Sequence, residues 1–324
     1  LEAFYEDGHP HVKQQFKKGM PVGQHLEYYR NEGRAEGKEK PAVAVIVNHD
    51  DEGRIQGKVE SYYPDGKIKS QKFHKDGEAE GMSATWDENG KLMSEAWYKN
   101  GKLDGKFMQH LPDGREIVFH YVKNQRHGLH QIFYPVVEGE EKQKALEGSY
   151  VYGKAHGEVL EFDPKGMRIC KTIYVDGVKE GPCELFDPKG RLVMKFHFKN
   201  DKKEGLLQGF FPKGQLMSEV SYLGDEKHGD ERSYFEDGTL QHETHYIQGK
   251  QEGLSRRWNM KGILVFEAEY KDGQRHGKFN KYFDDGKPMA LQTFVNDKSS
   301  GIKKSYDEKG ICSESKWENG KKLS

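Results

Sequence analysis

A glycine recurs along this chain with a fixed step, and that step limits what the chain can fold into more than any other feature does. The series runs Gly57, Gly81, Gly105, Gly128, Gly157, Gly181, Gly205, Gly229, Gly253, Gly277, Gly301, with steps of 24, 24, 23, 29 and then 24 throughout. Gly23 precedes it after a longer gap. A second series follows most anchors by nine residues (Gly66, Gly90, Gly190, Gly214, Gly238), and a third precedes many anchors by four (Gly77, Gly101, Gly177, Gly273). In the third series Asn124, Asp201, Asp225 and Asp297 replace glycine. Asn and Asp are the residues that best tolerate a left-handed backbone after Gly, so the three series are expected to mark chain reversals. A glycine about every eight residues leaves no room for a helix of ordinary length.

Between the glycines the pattern has period two. Leu92, Ser94, Ala96 and Tyr98 share one face, and Lys91, Met93, Glu95 and Trp97 the other. Such alternation marks a half-buried strand. Asn89-Gly90, Pro64-Asp65-Gly66 and Asp285-Gly286 are hairpin signals. Each unit therefore reads strand, tight turn, strand, loop. An aromatic stands five residues after nearly every anchor, including Trp86, Tyr234, Trp258 and Tyr282, and this row is expected to form the core of each unit. The fold class that follows is all-β: an elongated array of about twelve tandem antiparallel hairpins in a single twisted, solenoid-like sheet. The array is expected to be one repeat domain over 1–324. It comprises a leading half repeat at 1–19, long irregular repeats at 20–53 and 125–153, and regular repeats elsewhere. Structural weight falls on Gly57, Gly81, Gly105, Gly157, Gly181, Gly229, Gly253 and Gly277.

The units Tyr270–Gly286 and Trp97–Gly105 resemble a MORN repeat. The 24-residue period and the stretch near Gly90 to Glu95 resemble its bacterial variant, often labelled a YwqK-family antitoxin. The resemblance covers essentially the whole chain. It implies an elongated hairpin array that contacts proteins or lipids as a scaffold, and the antitoxin label implies a toxin partner. The chain departs from the family pattern where Gly33 to Gly53 and Gly128 to Gly157 carry extra residues.

Only 34% of residues are hydrophobic and 32% are charged, yet there are 17 Tyr and 17 Phe, which suits an ordered structure with little interior. Net charge is -1, which supplies no drive toward nucleic acid, so no nucleic-acid partner is expected. Cys170, Cys183 and Cys312 are too few and too odd for a disulfide framework. The chain lacks an initiator Met and reads as part of a longer one. Cysteine usage fixes no compartment; an exported bacterial setting is favoured over the cytoplasm.

His127, His156, His228 and His276 precede anchor glycines, in a slot that Glu80, Asp104, Glu180, Glu204 and Glu252 fill elsewhere. Equivalent positions lie about 10 Å apart, too far for shared ligation, so no metal is expected and the slot reads as a solvated loop position. Glu95, Glu219, Glu243, Glu267 and Glu314 are likewise too separated for acid–base work and are expected to pair with Lys or Arg across strands. No phosphate loop, nucleophile elbow, CxxC or HExxH motif occurs, so the chain reads as non-enzymatic and without a cofactor. Binding is expected at three places. The first insertion carries the β-prone run with Val43, Val45, Ile46 and Val47, which would offer a strand to a partner. The second carries the charged tip with Glu138, Glu140 and Glu141. Trp97 is the candidate contact for a glycan or envelope ligand. The leading reading is a scaffold with a protein partner. Envelope-glycan binding, lipid binding and antitoxin-like pairing with a toxin are the alternatives.

Overall fold

The computed structural model describes residues 1–30, 41–137 and 139–323. Among these there are 29 strands and no helix, and all pairings are antiparallel. The expected hairpin array is what is found. The chain divides into two compact units. One comprises Leu1–Gly157 with Pro164–Gly166; the other comprises Glu158–Asp163 with Met167–Ser324.

Turn chemistry sets the repeat. Strand Glu78–Trp86 pairs with Leu92–Lys99, which pairs in turn with Lys102–His110. The first connection is a turn over Asp87–Gly90. The Gly90 N–H donates to the Asp87 carbonyl and the Asp87 N–H to the Lys91 carbonyl, both at 2.9 Å. Gly90 has φ +82°, as a type I turn closed by a glycine bulge requires. Asp87 Oδ1 accepts the N–H groups of Asn89 and Lys91 at 3.0 and 2.8 Å. The second connection is no loop. Asn100 and Gly101, at φ +48° and +71°, form a two-residue turn with Lys99 opposite Lys102. Two left-handed residues define the type I′ turn, whose twist matches that of the flanking strands. The expected loop between units is thus a second hairpin turn.

The anchor glycines have a different role from the expected reversal. Gly81 lies inside strand Glu78–Trp86 at φ +79°. The register there passes from Lys72↔Ser83 to His74↔Ala79, so three residues on one strand face one on the other. The same shift recurs between Ala96 and Tyr98, Val220 and Tyr222, and Ala268 and Tyr270. Each anchor therefore makes a β-bulge that bends its strand. It also leaves room for a neighbour, since a Cβ at Gly105 would sit 3.0 Å from Trp97 Cβ.

The core of each unit is a row of directly opposed residues running across the strands. In the first unit it reads Ser83–Ala96–Phe107–Phe119–His130–Gly148. In the second it includes Val220–Glu231–Thr244–Ser255–Ala268. Thr244, Ser255 and Ala268 are 1%, 3% and 0% exposed. Trp86, Tyr234, Trp258 and Tyr282, expected as the core, are half-buried and close the turn end of each hairpin. They oppose Leu92, Leu240, Leu264 and Pro288. The deepest burial lies further along the strands, away from that turn, where side chains are small or mixed.

The row of the first unit contains a histidine. His130 is 4% exposed, stacks on Phe119 at 3.4 Å and meets the Tyr150 ring, tilted, at 4.6 Å. Burial, with Arg126 nearby, pushes it down to about 4. An unfolded histidine binds a proton below about 6.5 while the folded one stays neutral, so stability is lost as pH falls from about 6.5 towards 4. The loss across that window is expected to be about 3 kcal/mol, of which about 2 kcal/mol falls by pH 5. Denaturation of the full chain at pH 7 and pH 5 checks this against His130→Phe, which should lose less on acidification. Equal losses in the two chains would show that His130 does not carry the effect.

Candidate interaction surface

The type I′ turns form one edge of each unit, and a repeated pair of hydrogen bonds positions them. The N–H of the second turn residue donates to a backbone carbonyl of the preceding hairpin. Gly101 reaches Ala79 at 2.9 Å, Gly273 reaches Gln251 at 2.9 Å and Asp201 reaches Lys179 at 3.1 Å. The N–H of the first turn residue donates to the side chain just before the anchor glycine. Asn100 reaches Glu80 Oε2 at 2.8 Å, Asn200 reaches Glu180 Oε2 at 3.0 Å and Asp272 reaches Glu252 Oε2 at 2.8 Å. Asp76 reaches Gln56 Oε1 at 2.8 Å, and Lys123 reaches Asp104 Oδ2 at 3.3 Å. Gln248 N–H lies 3.5 Å from His228 Nδ1, and His276 Nδ1 instead meets the Asn296 side chain at 3.1 Å. At Gln56, Glu80, Asp104, Glu180 and Glu252 the slot, expected to be merely solvated, links one turn to the next, whereas the buried Nδ1 of His127 has no hydrogen-bond partner. The sequence signal of the slot is that every occupant named here carries a hydrogen-bond acceptor.

The residues that replace glycine in these turns add a bond in return. Asp201 Oδ1 accepts from Lys179 N–H at 2.8 Å, Asp225 Oδ1 from Lys203 N–H at 2.8 Å and Asn124 Oδ1 from Leu103 N–H at 2.7 Å. A cation lies over an aromatic ring along the same edge: Lys179 over Phe198 at 5.0 Å, Lys227 over Tyr246 at 4.7 Å and Arg275 over Phe294 at 4.1 Å. These contacts half-cover Phe198, Tyr246 and Phe294.

The Glu series pairs across strands as expected. Glu95 meets Lys106 at 3.0 Å, Glu267 meets Arg256 at 3.1 Å and Glu314 meets Lys304 at 3.0 Å. Arg232 lies between Glu219 and Glu243, at 3.7 and 3.3 Å. The Trp97 indole N–H donates to Glu95 at 2.8 Å and, with Lys106, holds that carboxyl below its usual range. An open depression of about 350 Å³ in the second unit lies among Asp230, Thr244, His245, Leu254 and Arg256, with His245 Nδ1 2.7 Å from Asp230 Oδ1. Among the described residues no group of three or more His, Cys, Asp or Glu is placed to hold a metal ion.

Val43, Val45, Ile46 and Val47 sit half-buried in strand Val43–His49. That strand pairs with Met20–Tyr28 on one side and Gly57–Tyr62 on the other, so its backbone is already engaged on both edges. Trp97 is 41% exposed and lies over Gly105. Glu138 lies outside the described residues. Glu140 and Glu141 are exposed in the second insertion, where Lys142 turns back to pair with Glu116. Gly57, Gly81, Gly105, Gly157, Gly181, Gly229, Gly253 and Gly277 all have positive φ. The structure brings none of the three expected binding places together.

Sequence reasoning missed a row of exposed apolar side chains immediately before the type I′ turns. In the first unit these are Val122 and Val151; in the second they are Val175, Leu223, Ile247 and Val295. Leu223 and Ile247, in successive repeats, are 54% and 44% exposed. Their signal was present in the sequence: an apolar residue directly before a turn, where a polar one would be ordinary.

Paired hairpins, a recurring glycine bulge and turns tied to turns define a tandem β-hairpin repeat protein. More particularly, five segments of the chain are MORN repeats. The MORN repeat variant matches residues 55–76, 79–100, 203–223, 227–248 and 275–296. MORN repeats are a non-catalytic repeat type generally associated with protein and membrane interaction scaffolds. No curated protein matches this chain. One solved structure, the crystal structure of TcdB2-TccC3, is similar at 11% identity and a TM-score of 0.16. That similarity covers 99% of this chain and 25% of that one, so this chain spans a quarter of that chain's length.

The turn-to-turn bond can be tested at Glu80. Removing the acceptor in Glu80→Ala is expected to cost about 0.5–1.5 kcal/mol, whereas Glu80→Gln keeps an acceptor and stays near wild type. Denaturation midpoints of the three chains read the difference. Glu80→Ala matching wild type would show that the bond contributes nothing to stability.

Proposed function

We propose that this chain is a non-enzymatic scaffold that holds a protein partner along the type I′ turn edge. The supporting observation is the exposed apolar row of the second unit, Val175, Leu223, Ile247 and Val295, on an edge whose backbone groups are already tied from turn to turn. Apolar side chains exposed at one repeat slot, on a base that does not have to reorganise, suit a partner that adds side-chain contacts without adding a strand. Lys199 and Lys271 fill the same slot in the intervening repeats, so a partner with mixed apolar and acidic character fits. A glycan reading needs exposed aromatic faces. Phe198 and Phe294 lie under Lys179 and Arg275, and the Trp97 indole N–H is bonded to Glu95, which favours the protein reading.

The test compares capture by the full wild-type chain with capture by Leu223→Glu/Ile247→Glu, both sites being exposed enough to accept charge without unfolding. Partner proteins held by wild type should be lost from the double variant, with at least a tenfold weaker association, and a glycan array should stay blank. Equal capture by both chains would overturn the edge as the binding surface. Glycan binding lost on Trp97→Ala would replace the protein reading.

A further inference from the structure

Cys170 and Cys183 lie on the two strands of one hairpin in the second unit, Arg168–Val175 and Val178–Phe186. Thr172 directly opposes Cys183, and Cys170 opposes Leu185, so the two cysteines are diagonal neighbours on one face. The Thr172 hydroxyl lies 3.5 Å from Cys170 Sγ and 3.4 Å from Cys183 Sγ. Cys183 is buried and Cys170 is half-buried, so one thiol is reachable from solvent and the other is behind it. Both are free.

We propose that Cys170 and Cys183 form a redox-active dithiol, which a low-molecular-weight disulfide of the glutathione class closes reversibly to a cross-strand disulfide. Cys170 is the attacking thiol and Cys183 the resolving one. The Cys183 S–H donates to Cys170 and holds the Cys170 thiol well below its ordinary value. Sharing that proton, together with burial, pushes Cys183 up. A thiolate at the more exposed position is what attack on an external disulfide requires. The Cys170 thiolate attacks one sulfur of the reagent and expels one reagent thiolate, forming a mixed disulfide. Cys183 gives up its proton, attacks the Cys170 sulfur and expels the second reagent thiolate. The two reagent thiolates take up the two protons that left the cysteines. One protein S–S bond is formed, one reagent S–S bond is broken, two protein thiols are oxidised and the reagent disulfide is reduced to two thiols. The two sulfurs, each against the Thr172 hydroxyl, must draw in to about 2 Å, and from diagonal positions this takes a small shift of the two strands. The link would lie beside the Gly181 bulge and fix the hairpin register there. Diagonal pairs are not the geometry a disulfide prefers, so the bond should be readily reduced again.

The full native chain is incubated with glutathione disulfide and then mapped by intact mass and non-reducing peptide analysis. The expected result is a loss of two hydrogens and a Cys170–Cys183 linked peptide, with both products reversed by reduced glutathione. Cys183→Ser should stop at a glutathione adduct on Cys170. In Cys170→Ser no link should form, and Cys183 should react at least tenfold more slowly than Cys170 does in wild type. Adducts on Cys170 and Cys312 in wild type without the internal link would overturn the proposal, as would Cys183 reacting first. The wild-type map decides the matter even where a variant fails to fold.

Discussion

Everything in this chain depends on the tie between one type I′ turn and the next. A single hairpin is marginal in water, because two strands cannot bury enough surface to offset the ordering of their backbone. Here the second turn residue bonds to a backbone carbonyl and the first to a side-chain acceptor, as at Gly101 with Ala79 and Asn100 with Glu80. Both N–H groups of the turn are thereby satisfied by the hairpin before it. The strand ladder holds neighbours along their length, and the ties hold them at the edge. The stability of one repeat is therefore lent by its neighbours.

The interior is correspondingly modest. The row Thr244–Ser255–Ala268 is fully covered yet contains two hydroxyls and only two methyl groups, and His130 is accepted into the equivalent row between two rings. Burial there comes from strand-to-strand proximity rather than from large apolar side chains. This reconciles a low hydrophobic share with an ordered structure. The half-buried aromatics close the hairpin ends, and Lys179, Lys227 and Arg275 half-cover Phe198, Tyr246 and Phe294.

Much of this was legible in the sequence, for a physical reason. A left-handed backbone excludes most residues, so Gly, Asn and Asp at Gly77, Asn124 and Asp201 betray their turns directly. Period-two strands such as Leu92–Lys99 and the cross-strand partners of Glu95 and Glu267 followed from the same pattern. The anchor series was less transparent, because positive φ serves a bulge as well as a turn and spacing alone does not separate them. Gly81 reads as a reversal in the sequence and is a bend within a strand in the structure. The role of Glu80 was hidden because its donor, Asn100, lies twenty residues away and is defined only once neighbouring hairpins are in register. The exposed row at Leu223 and Ile247 was visible as residues but not as a surface, since exposure is a tertiary property.

These observations favour binding on the turn edge and make its rigidity a consequence of the ties. Native-state amide hydrogen exchange on the full chain tests that most directly. The N–H groups of Asn100, Asn200 and Asp272 should exchange slowly, within about tenfold of the backbone-bonded N–H groups of Gly101, Asp201 and Gly273. Exchange at Asn100, Asn200 and Asp272 at the rate of an unstructured peptide would show that the turns are not tied to one another and would contradict the basis of the repeat's stability.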